Sequence, residues 1–83
     1  MAVIKSSLFH VLKRFPEQKD AIHQHFRKNE NFQIICDDYR QCAEALDRWN
    51  GSTSEEASAR RNEYADLLLD LESEILQTLN ESA

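Results

Sequence analysis

Residues 32–49 read FQIICDDYRQCAEALDRW, and the order of the apolar residues in this stretch decides the fold. Phe32, Ile35, Tyr39, Cys42, Leu46 and Trp49 follow one another at spacings of 3, 4, 3, 4 and 3. That rhythm aligns six side chains on one stripe of an α-helix, the seam of helix-on-helix packing. Cys36 and Ala43 flank the seam and broaden it. The opposite face carries Asp37, Arg40, Gln41, Glu44, Asp47 and Arg48, and Glu44 with Arg48 forms an i,i+4 pair of favourable order.

Downstream, Asn50-Gly51-Ser52 ends the helix. Gly51 is the single glycine of the chain and suits a left-handed C-cap. Thr53 with Glu56 three residues on has the spacing of a capping box, so the next helix is expected from about 54 to 80. A loop of about three residues forces the two helices to lie antiparallel. Pairing about that loop sets Trp49 against Ala57, Cys42 against Tyr64, Ile35 against Leu71 and Phe32 against Ile75. Arg61, opposite Leu46, is expected to lay its stem along the seam with its head in water. Taking Leu68 as zero at ~100° per residue, Leu67 lies near −100°, Leu76 near +80° and Leu69 near +100°. This apolar arc is about 200° wide, more than one neighbour covers.

Upstream, Asn29-Glu30-Asn31 is a phase slip. Carrying the seam backwards lands on Lys28 and His25, whereas the apolar residues Ile22 and Phe26 are one position off. The slip predicts a break between a helix over about 16–27 and one over 31–49; the alternative is one curved helix through 16–49. Pro16 separates residues 1–14, because a proline disfavours helical geometry in the residue before it and suits the first turn of a new helix. Ile4, Leu8, Val11, Leu12 and Phe15 make residues 1–14 a short amphipathic segment. Two readings stand for it: a helix covering the hairpin or a neighbouring copy, or a lipid-surface helix using Lys5, Lys13 and Arg14. The fold expected is therefore all-α, an antiparallel helical hairpin over 15–83 with one or two N-terminal helical segments.

Charge is divided along the chain. Lys5, Lys13, Arg14, Lys19, Arg27 and Lys28 against Glu17 and Asp20 give residues 1–28 a net +4, while residues 29–83 carry −9. A basic front and an acidic back attract each other within a chain or between chains, and the acidic bulk argues against nucleic acid as a partner. No apolar run approaches the ~20 residues of a membrane span, and Met1 to Phe15 lacks the pattern of a signal peptide. Cys36 and Cys42, on one helix, have Cα atoms about 9 Å apart, beyond disulfide reach, and read as reduced thiols of a cytoplasmic protein. Cys42 sits on the seam; Cys36 is expected to be more peripheral, and sensitive to oxidation if exposed.

Phe15-Pro16-Glu17, Ile22, Asn29-Glu30-Asn31 leading into Phe32, Asp38-Tyr39 and Leu71-Glu72-Ser73-Glu74-Ile75-Leu76 together resemble the YdcH-like family of small bacterial proteins of unknown function. The resemblance covers about residues 15–80 and implies a helical hairpin or coiled coil, with no catalytic residues. The last helix is more acidic than the resemblance implies, and residues 1–14 lie upstream of the shared part.

No motif points to an enzyme. One glycine cannot form a phosphate loop. His23 and His25 lie ~200° apart on a helix, not on one face as metal-binding i,i+4 histidines do. Asp37-Asp38 and Glu55-Glu56 lack the spacing of a calcium loop and read as solvated faces. The preferred reading is a cytoplasmic protein–protein interaction module without cofactor or metal, self-associating or docking a client helix. Its outer contact would be Ile4, Leu8, Leu12, Leu67, Leu69 and Leu76. The alternative is a peripheral membrane adaptor built on residues 1–14, and a third reading is a metal or redox regulator using Cys36, Cys42, His23 and His25. For the core, Leu71→Ala is expected to cost roughly 2–5 kcal/mol; a melting temperature that hardly moved would refute the pairing of Leu71 with Ile35.

Overall fold

A computed structural model describes the backbone of residues 2–81 and the side chains of residues 7–81. The described residues form four α-helices and one short 3-10 turn: α1 (Ala2–Arg14), the turn Pro16–Gln18, α2 (Lys19–Lys28), α3 (Glu30–Asn50) and α4 (Ala57–Glu81). α3 and α4 form the antiparallel hairpin, and α1 packs along α3. The molecule measures 44 × 26 × 21 Å.

Both upstream breaks have local causes. Before Pro16, Phe15 takes φ −126°, ψ 66°, and the proline opens a 3-10 turn rather than the α-helix expected from residue 16; α2 begins at Lys19. At Asn29 the backbone is extended (φ −125°, ψ 107°), so 16–49 is not one curved helix. The Asn29 side chain caps α3, its Oδ1 accepting from the Phe32 N–H at 3.2 Å. Such a cap satisfies a donor that the first helical turn leaves without a partner, an effect of about 1 kcal/mol. The Gln33 side-chain amide donates to the Phe26 carbonyl across the same break, tying the end of α2 to the start of α3.

The break brings two apolar phases into one core. Val11 of α1, Ile22 of α2, Phe32 and Cys36 of α3 and Ile75 of α4 are fully buried side chains, and Phe26, Tyr39, Cys42, Leu71 and Leu79 complete the cluster. The stripe buried on α3 is Phe32, Cys36, Tyr39, Cys42 and Ala45, not the seam as expected: Ile35, Leu46 and Trp49 are only half-buried. α1 causes the difference. It covers the flank of α3 that carries Cys36, so α3 is buried from two directions. Cys36 is therefore a core residue rather than a peripheral one.

The hairpin connection also departs from expectation. Gly51 has φ −88°, ψ −1°, a right-handed conformation, and its N–H donates to the Arg48 carbonyl at 3.2 Å. No left-handed cap forms. α4 begins at Ala57 instead of Ser54, and the loop runs from residue 51 to 56. The Ser52 hydroxyl accepts from the Ser54 N–H at 3.2 Å, and the Ala57 N–H closes a turn onto the Ser54 carbonyl. These bonds hold residues 52–57 in a turn in place of the expected Thr53–Glu56 box. The end of α3 is completed from across the hairpin, where the Arg61 guanidinium donates to the Trp49 carbonyl at 3.3 Å. Arg61 thus reaches the end of α3 instead of extending its head into water. Glu44 turns back to Arg40 at 3.0 Å rather than forward to Arg48.

Since a Cβ on Gly51 would approach nothing closer than the Arg48 carbonyl at 3.7 Å, Gly51→Ala is expected to stabilise the protein by about 0.4–1 kcal/mol through the unfolded chain. A drop in melting temperature on Gly51→Ala would contradict the right-handed geometry.

Candidate docking groove

The two long faces of the hairpin differ. One is braced by α1 through two polar clusters. In the first, the buried Ser7 hydroxyl donates to Asp37 at 3.1 Å and accepts from Arg40 at 3.2 Å; Arg40 also bonds Asp37 at 2.8 Å and Glu44 at 3.0 Å. These contacts, led by the Arg40 hydrogen bond, hold the Asp37 carboxyl below its ordinary pKa. In the second, Glu72 of α4 accepts from Arg14 of α1 at 2.9 Å and from the Tyr39 hydroxyl at 2.8 Å. Burial, reinforced by Glu72, pushes the Tyr39 phenol well above its ordinary pKa. The Arg14 guanidinium also lies 5.2 Å from the centre of the Phe15 ring, a cation–π contact. Here the basic front of the chain meets its acidic back within one molecule.

The other face is open. α3 and α4 form a groove of about 440 Å³ whose apolar lining is Cys42, Ala45, Tyr64, Leu67 and Leu71. Asp38, Gln41, Glu44 and Arg48 line it from the α3 side. Cys42 donates its S–H to the Tyr64 carbonyl at 3.4 Å, which holds the helices in the register expected from the loop. Leu67 is 46% exposed although it borders buried residues.

The residues expected to form an outer contact are thereby separated. Leu8 and Leu12 are half-buried and pack against the core. The side chain of Ile4 lies outside the described residues. Leu67 lines the groove; Leu69 is 61% exposed on the other flank of α4; Leu76 is half-buried beside a shallow depression near the end of α4. The groove includes Ala45 and Tyr64, which the outer-contact reading omitted. Ala45 stands three residues after Cys42, and that spacing was the available signal for it.

A wider polar depression lies at the α2–α3 junction between Gln24, His25, Lys28 and Asn29–Asn31. Its residues are solvated or half-solvated, and the His25 ring packs 5.5 Å from the Phe32 ring. Among the described residues, no three His, Cys, Asp or Glu side chains come together to hold a metal ion. Nor is any helix of the described residues long and apolar enough to cross a membrane. No protein-family model matches the chain, and neither the curated proteins nor the solved structures with which it was compared contain a match.

Both thiols are free and buried. Burial pushes the Cys36 thiol up to about 12, and raises Cys42 as well. At pH 8 the Cys36 thiol is expected to alkylate roughly a thousandfold more slowly in the folded protein than in denaturant, because the thiolate is the nucleophile. Site-resolved mass spectrometry reads this directly, and equal rates in the two states would mean that Cys36 is accessible.

Proposed function

We propose that this protein is a small protein–protein interaction module, in which α1 and α2 brace a helical hairpin and the open α3–α4 groove receives an apolar helix. One observation carries the reading: beside the α3–α4 contact Leu67 is left 46% exposed and Tyr64 half-buried, over a groove floored by the buried Cys42, Ala45 and Leu71.

The membrane-adaptor reading is less well supported. Of its lipid-facing residues Val11 is fully buried and Leu8 and Leu12 are half-buried against the core, and Ser7 and Arg14 hold α1 to the hairpin. Insertion would require α1 to leave α3. A cytoplasmic location belongs to the same proposal, supported by the two free thiols. So does membership of the YdcH-like family, since Phe15-Pro16 and Asn29-Glu30-Asn31, which carry the resemblance, stand at the two breaks of the chain.

The test uses the whole chain. Apolar-dye fluorescence together with sedimentation equilibrium at micromolar concentration is expected to show dye binding or self-association. Both should fall sharply in Leu67→Ser, with helicity unchanged by circular dichroism. A monomer that binds no dye would remove the basis of the reading.

A further inference from the structure

The acids of α4 are not balanced equally on its two sides. Glu72, on the side facing α1, is neutralised by Arg14. Beyond Leu67, on the rim of the groove away from Tyr64 and Leu71, Glu63, Asp70 and Glu74 stand four residues before, three after and seven after it, so at ~100° per residue all three lie within about 60° of Leu67. Arg60 meets Glu63 at 3.0 Å, in an exposed pair. Across the groove, Asp38 and Glu44 face inward beside Arg48, and Glu44 is shared with Arg40. On the α3 border Asp38 is thus left without an ion pair among the described residues, beside Arg48 and the paired Glu44, and beyond Leu67 the surface of α4 continues with Asp70 and Glu74, likewise unpaired among the described residues.

From this we infer that the occupant of the groove is a basic amphipathic helix of another protein, with an apolar stripe flanked by lysine or arginine; the inference rests on the docking reading above. The lining of α3 runs from Asp38 to Arg48, about 15 Å at 1.5 Å per residue, the length of roughly three helical turns. The occupant therefore presents apolar residues at i, i+3 or i+4, and i+7. Cys42 and Ala45 have short side chains, so a helix can approach α3 closely while Tyr64 and Leu67 close over its other side. Cations on the flanks of that helix meet Asp38 on one border and Asp70 and Glu74 on the other. A second copy of the chain, docking by the same face, would set one acidic border against another, and like charges across an interface oppose association.

The probe is a synthetic helix of about 14 residues with leucine at the stripe positions and lysine on its flanks, compared with a twin in which glutamate replaces lysine. Binding to the full chain is read by fluorescence anisotropy at about 50 and about 300 mM salt, and the site by amide chemical-shift mapping. The lysine peptide is expected to bind at least about tenfold more tightly than its twin, with the difference shrinking at high salt and the shifts concentrated in residues 38–48 and 63–74. The exposed double variant Asp70→Lys/Glu74→Lys keeps the floor intact and is expected to reverse the preference. Equal binding of both peptides in the groove would overturn the basic partner and leave the docking reading standing. Binding of neither peptide by a chain that dimerises through Leu67 would make a second copy the occupant. Binding of neither by a stable monomer would overturn both readings, and shifts confined to α1 and α2 would overturn the inference alone.

Discussion

The fold depends on one capped break. At Asn29 the backbone leaves the helical region for a single residue, and the same residue's side chain takes the Phe32 N–H. Without that step, the apolar residues of α2 and those of α3 would spiral to different sides of one long helix. With it, Ile22, Phe26 and Phe32 share a core with Ile75 and Leu79. A chain this small has little core to spare, so the alignment of two short apolar phases by one extended residue matters more here than it would in a larger domain. The Gln33–Phe26 hydrogen bond spans the same point and limits how freely the two helices can pivot.

Charge shapes the molecule differently on its two faces. Towards α1, acids and bases are interleaved and satisfied: Asp37 with Arg40 and Ser7, Glu72 with Arg14 and Tyr39. These are partly exposed groups, and their value lies in orientation more than in net energy. They fix which flank of α3 is covered, and so which flank of the hairpin stays open. α1 packs along α3 and contributes no residue to the groove, which lies between α3 and α4 on the side away from it.

Much of this was legible in the residues. The helix of α3, the breaks at Pro16 and Asn29, the antiparallel return and the register that places Cys42 beside Tyr64 all follow from local rules of periodicity and chain geometry, whereas the 3,4 seam predicted only Phe32, Tyr39 and Cys42 of the stripe that α3 buries. What was not legible depended on a third body. Cys36 looks peripheral while only α4 is considered as the neighbour of α3; it becomes core once α1 lies on its flank. Ala45 is too small to register in an apolar count, yet it is buried and helps make the groove. The loop misled for a different reason. Gly51 and the Thr53–Glu56 spacing fit a left-handed cap and a capping box, but the Ser52 hydroxyl and the Arg61 guanidinium offer competing partners, and the chain uses those. The pair Glu44–Arg48 lost to Arg40–Glu44 in the same way, because Arg40 was already held in place by Ser7 and Asp37.

The order of α1 ahead of α3 and α4 has a temporal consequence. Its anchors lie far ahead in the sequence: Ser7 bonds Asp37, thirty residues on, and Arg14 bonds Glu72, fifty-eight residues on. At a synthesis rate of about 5–20 residues per second, Arg14 exists for about 3–12 s before its partner is made. Throughout that interval Val11, which ends fully buried, has no completed core to enter. The nascent chain therefore carries the α1 segment before the helices it meets, first α3, along which it packs, and last Glu72 of α4.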